Sequence, residues 1–206
     1  MPQEEPETVM AAAAGGMLAF PPPEESPRAV ERPDFHAALT DRRSVRDFAD
    51  QAPPVSDLAR TLQEAAASQQ HQWPVHRHGD PGLTTLVAAY HVDGLAPGLH
   101  AWETGSASFT ALTTPGVVAR LGEMYTPAPA LVLLGGSIER VGGEAYGGLL
   151  VRAGALGYAV WLAARSRGLE CSAFGLADHE LSATFHQLSP GSAHLFTVAL
   201  GYAREP

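Results

Sequence analysis

The segment 146–168 constrains this chain more than any other. Leu149, Leu150, Leu156, Val160, Trp161 and Leu162 leave a helix there apolar on nearly every side. Such a helix has no polar face to give to water, so it belongs at the centre of a fold or against another subunit. Gly154 and Gly157 would let a second helix approach closely, and Gly168 reads as the C-cap. The apolar run is too short for a membrane span, which needs about 18–20 residues, because residues 154–164 are closed by Arg165. The preceding apolar run, residues 128–138, is closed in the same way by Glu139 and Arg140, so no membrane partner is expected.

Around that helix the hydrophobic period alternates between helix and strand. Pro33-Asp34 can start a first helix carrying Phe35 and Leu39, and Ser56 is the expected N-cap of a second with Leu58, Leu62 and Ala65 on one face. Residues 83–92 and 99–103, joined by a glycine- and proline-containing turn at 94–98, read as a hairpin. Residues 117–125 read as a short helix and 129–138 as a buried strand. Residues 178–188 form an amphipathic helix and 194–202 a last strand. This order predicts an α+β sandwich, a mostly antiparallel sheet flanked by helices, over one domain at 33–206. Residues 1–32, with an alanine run, Pro21-Pro22-Pro23 and clustered glutamates, show neither period. They are read as a flexible arm, a solubilising tail or a strap across a partner.

Charge and cysteine content then exclude function classes. All 13 basic residues are arginine, against 22 acidic ones, for a net charge of −9. Without lysine there is no Schiff base and no P-loop lysine, and the acidic balance argues against a nucleic-acid partner. Cys171 is the only cysteine, which excludes internal disulfides and cysteine-ligated metal clusters; a reducing, cytoplasmic compartment without a signal peptide is expected. Cys171 itself reads as a small buried apolar residue. His71, His76 and His78 lie close together with Asp80, but their spacing does not favour a metal site, and none is assigned. The glycines at 142–143 and 147–148 lack the dinucleotide-binding spacing.

Against this acidic background the stretch Arg42-Arg43-Ser44-Val45-Arg46-Asp47-Phe48 concentrates positive charge, which suits a phosphate or another oxyanion. Here the sequence resembles the nitroreductase-like FMN oxidoreductase superfamily, and most closely its SagB-type azoline dehydrogenases. The similarity runs in order over residues 33–204. It continues through the small-residue segment Ala65-Ala66-Ala67-Ser68-Gln69-Gln70, the hairpin at 92–100 and the long helix. After that helix come Ser172-Ala173-Phe174-Gly175-Leu176 and the terminal Leu200-Gly201-Tyr202-Ala203-Arg204.

The resemblance implies an FMN-binding dimer with flavin at its interface. It places Arg42, Arg43, Ser44 and Arg204 toward the phosphate and Arg46 at the flavin N1–O2 edge. Ser68 and Gln70 would read the pyrimidine, and the amides of Phe174 and Gly175 the far edge of the ring. It also implies oxidation of an azoline in a ribosomal peptide, with NAD(P)H-dependent reduction of nitro compounds or quinones as the competing activity. The subgroup's Lys-Tyr pair for proton abstraction falls here on Arg140 and Val141, and arginine stays protonated near neutrality. His71 or Tyr146 are the substitute acid–base candidates. The missing pair opens a third reading, a non-catalytic subunit that completes a related flavoprotein as a heterodimer.

Overall fold

The computed structural model describes Leu18–Ala19 and residues 35–114 and 116–204. In chain order the elements are β1 (Leu18–Ala19), α1 (Phe35–Thr40), α2 (Val55–Gln72), α3 (Val75–His78), β2 (Thr84–Ala89), β3 (Gly98–Glu103) and β4 (Ser108–Leu112). There follow α4 (Val117–Met124), β5 (Ala130–Ser137), α5 (Ile138–Val141), α6 (Tyr146–Arg165), β6 (Glu170–Phe174), α7 (His179–Leu188) and β7 (Ser192–Gly201). The strands form one sheet in the order β1-β4-β3-β2-β5-β7-β6, every neighbouring pair antiparallel.

Residue alternation sorts the sheet's side chains onto two layers. Val87, Val132, Leu134, Val198 and Leu200 pack with Leu58, Leu62, Leu156, Val160 and Trp161 of α2 and α6. Leu86, Leu131, Leu133 and Ala199 pack on the other side with Leu121 of α4 and Leu181 and Phe185 of α7. β5 lies between β2 and β7 with all its residues buried, which explains its unbroken apolar run. Its glycine pair serves both layers. A Cβ at Gly135 would run into Phe185 of α7, and one at Gly136 would stand 2.8 Å from Leu149 of α6.

The long helix ends as its sequence requires. Gly168 has φ +75°, its N–H bonds the Arg165 carbonyl, and the Leu169 N–H reaches back to Ala164, which together make a Schellman motif. The start of α2 differs from expectation: the helix begins at Val55 behind Pro54, so Ser56 lies inside the first turn and caps nothing. Proline pre-sets the φ that a first turn needs, which moves the boundary upstream. β4 was not anticipated. Nor was β1, in which two residues of the N-terminal arm pair with Phe109 and Ser108 on the β4 edge. The remainder of the arm lies outside the described residues.

Candidate functional site

Residues 42–46 follow α1 along the outer edge of β6, an end strand of the sheet. They are anchored at the centre, where the Val45 N–H donates to the Cys171 carbonyl at 2.9 Å. On either side of that anchor a guanidinium lies on an aromatic surface. Arg42 sits 4.7 Å from the Trp161 ring centroid and 5.6 Å from that of Tyr158, both on α6, and Arg46 sits 5.8 Å from the Phe174 ring. Ser44 is exposed between them. Among the described residues none of Arg42, Arg43 and Arg46 is ion-paired with a carboxylate. An acidic protein thus holds uncommitted cations together, stacked so that their N–H groups remain available to an anion.

The β6 edge adds backbone donors. Because the Cys171 carbonyl points outward to Val45, antiparallel alternation turns Ala173 outward as well and turns Phe174 toward β7. The outward amide within β6 is therefore that of Ala173, Gly175 follows directly after the strand, and the Phe174 side chain supplies the surface under Arg46. Ser172–Phe174 belong to the strand. Arg204 is also placed differently: its half-exposed guanidinium reaches Asp47 and Asp50, each at 3.4 Å, and the Phe48 carbonyl at 3.2 Å. Both carboxylates are strongly exposed, so these pairs are weak.

The remaining candidates do not join this cluster. Ser68 and Gln70 lie in the last turns of α2, and Ser68 Oγ accepts from Gln72 Nε2 at 3.3 Å. α2 packs against the side of α6 carrying Arg152, Leu156 and Val160. At about 100° per residue that side is nearly opposite Tyr158 and Trp161, where Arg42 rests. His71 is exposed near the end of α2, and Tyr146 is the exposed first residue of α6. Arg140, at the position of the missing base, is bonded to Asp80 at 2.8 Å. Cys171 is wholly buried, and burial pushes its thiol pKa far up, as befits a core residue. Among the described residues no group of three His, Cys, Asp or Glu could hold a metal ion.

A polar network behind Phe174 was not legible in the sequence. Tyr125 packs on Phe174 at 5.3 Å and donates to the Leu176 carbonyl at 2.8 Å, holding the turn after β6. Asp178 accepts two 2.6 Å bonds from Arg120, caps α7 through the Leu181 N–H at 2.7 Å, and is held at a pKa of about 2 chiefly by Arg120. His194 Nδ1 accepts from the Asp178 N–H, which leaves the Nε2 proton for Thr197 Oγ1 at 2.9 Å; burial lowers its pKa to about 4, so it is neutral. Asp178 was legible as a helix start, but Arg120 lies 58 residues away and only the fold joins them.

No family model matches the chain, and no curated protein matches it. Solved structures do. A protein of Ralstonia eutropha described as a candidate nitroreductase superposes with a TM-score of 0.67 at 15% identity, covering 92% of this chain and 90% of its own. A similarly described protein of Anabaena variabilis gives 0.63 at 19% identity, covering 81% of this chain but only 37% of its own length. An FMN-dependent nitroreductase from Clostridium difficile gives 0.55 at 14%, covering 84% and 89%. The fold is therefore the nitroreductase-like α+β sandwich, and at these identities the likeness extends to the fold alone. By length and composition residues Gly143–Arg165 could cross a membrane; in this fold the α6 part of that stretch packs on the sheet and α2 as a core helix.

Proposed function

We propose that this protein is an FMN-dependent oxidoreductase that works as a dimer. The observation that carries the reading is the arginine pair Arg42 and Arg46, free of carboxylates among the described residues and lying along the outer edge of β6. Those residues fit a flavin mononucleotide: Arg42, Arg43 and Ser44 would hold the phosphate, Arg46 the electron-rich pyrimidine edge, and the Ala173 and Gly175 amides the ring edge. Bound there, FMN would supply two-electron hydride chemistry. Arg204, whose exposed pairs with Asp47 and Asp50 are weak, would add to the phosphate set.

The dimer reading rests on α6. Its side away from the sheet and α2 leaves Leu150, Val151 and Tyr158 exposed, with open space at Gly147 and Gly154. Such an apolar stripe calls for a partner. Ser68 and Gln70, across α6 from Arg42, would then meet the flavin held by the second copy.

For the reaction, reduction of a nitro compound or quinone with electrons from NAD(P)H is favoured over dehydrogenation of a peptide azoline. Dehydrogenation needs a base, and the position expected for it holds Arg140, paired with Asp80. Titration with FMN followed by anaerobic mixing tests both parts. Saturable FMN binding that quenches flavin fluorescence, then bleaching by NADH or NADPH alone, is the expected result. Bleaching only by an azoline peptide restores the dehydrogenase reading. Failure to bind FMN removes the proposal. Activity that appears only with a related flavoprotein subunit identifies this chain as the partner of a heterodimer.

A further inference from the structure

α4 stops at Met124, two residues short of Thr126-Pro127, because a residue before proline is kept out of helical geometry. The chain turns there, and two successive buried side chains reach different segments. The Tyr125 hydroxyl donates to the Leu176 carbonyl at 2.8 Å, 51 residues away, and the Thr126 hydroxyl donates to the Arg46 carbonyl at 3.0 Å, 80 residues away. One dipeptide thus touches both stretches of chain that line the outer edge of β6.

Each tether acts on backbone that lies between other anchors. The 42–46 segment is pinned where the Val45 N–H meets Cys171, and it is pinned again at Phe48, which pairs with Ala203. Arg46 lies between those points, and Thr126 fixes its carbonyl. Residues 175–177 are exposed between the end of β6 and the Asp178 cap of α7, and Tyr125 holds the middle one. The Tyr125 ring also packs on Phe174, whose own ring lies under the Arg46 guanidinium. Two hydrogen bonds from one helix end set a separation, which two bonds from independent loops would not.

We propose that Tyr125 and Thr126 are positioning residues of the flavin site: they hold Arg46 and the turn after β6 at a fixed spacing, so that the guanidinium and the Gly175 amide meet opposite edges of the ring. The inference rests on the flavin reading and adds to it two residues that touch no flavin. Donors held in place before binding cost no ordering when the ligand arrives. Arg46 faces the edge where negative charge collects on reduction, so loosening its backbone weakens the grip on reduced FMN more than on oxidised FMN.

Thr126→Val removes the donor at nearly constant shape, and Thr126→Ser keeps it. The ratio of affinities for reduced and oxidised FMN, read as the midpoint potential of the bound flavin, should fall about fivefold in Thr126→Val and return to the wild-type value in Thr126→Ser. A general loss of stability would weaken both redox forms alike. Hydrogen exchange of the flavin-free protein supplies a second readout: amides at 45–48 should exchange faster in Thr126→Val, and those at 175–177 in Tyr125→Phe, which keeps the ring against Phe174. Equal weakening of the two redox forms, no recovery in Thr126→Ser, or unchanged exchange in both segments would each overturn the positioning role while leaving FMN binding by the wild type intact. A wild type that binds no FMN overturns the flavin reading itself, and the positioning role with it.

Discussion

Asp178 answers three groups at once: the Arg120 guanidinium, the first turn of α7 and, through its own N–H, His194. Its pH behaviour follows from the two depressed pKa values. His194 drops from 6.5 to about 4 in the fold, so the unfolded chain binds the extra proton between those values and stability falls as pH is lowered from about 6.5 to about 4. Asp178 drops from 3.8 to about 2, so its contribution is present above about 4 and is lost as pH falls through about 2. Denaturant titrations across pH should show the first loss, of order 3 kcal/mol, vanish in His194→Gln. Asp178→Asn keeps the cap but gives up the ion pair, and should cost about 2 kcal/mol at pH 7 by chemical denaturation. Arg42 belongs to the same scale: Arg42→Ala, with an unchanged circular dichroism spectrum, should weaken FMN binding about tenfold or more.

Two glycines of α6 separate what the helix does inside the molecule from what it does outside. A Cβ at Gly157 would stand 2.5 Å from Phe196 on the sheet, whereas at Gly154, three residues earlier, nothing lies within 4 Å. Gly157→Ala should therefore lower the melting temperature sharply, through overpacking of about 1–3 kcal/mol. Gly154→Ala in the isolated subunit should stabilise the helix by up to about 1 kcal/mol. The same periodicity that buries Leu156 and Val160 leaves Leu150, Val151 and Tyr158 outside, so α6 is a core element on one side and an unsatisfied surface on the other. The sequence reading of an all-round apolar helix left both possibilities open. The tertiary structure realises the first and sets up the second.

Whole-molecule organisation turns on the sheet edges. The 42–46 segment covers the outer side of β6 and β1 lines the outer side of β4, so at each end an otherwise open strand meets another chain segment. The exposed face of α6 is an apolar surface, and a two-fold pairing across it would bring Ser68 and Gln70 of one copy toward the flavin of the other. Leu150→Asp places a charge at the centre of that face and should convert a dimer to a monomer in sedimentation velocity, with loss of FMN affinity. A variant that stays dimeric and keeps its flavin would move the interface elsewhere.

Local patterning alone determined most of the elements. The unbroken β5 run, the glycine that ends α6, the hairpin turn at 94–98 and the Asp178 cap are each written within a few residues, since periodicity and turn chemistry act over one or two turns. The arginine cluster was legible too, as charge concentrated against an acidic background. What the tertiary structure decided are relations between distant segments. Arg42 lies on Trp161, Arg204 meets Asp47 and Asp50, Arg120 meets Asp178, and the end of α2 stands across α6 from the arginines. β1 and β4 escaped the reading because short edge strands carry too few residues to show a period, and they exist because a neighbouring strand offers its hydrogen bonds. The buried donor nitrogens of Gln69, Trp102 and Arg152 that bond nothing among the described residues were invisible for the same reason: an unmet hydrogen bond is a property of the space between α2, α6 and the sheet, and no stretch of sequence contains that space.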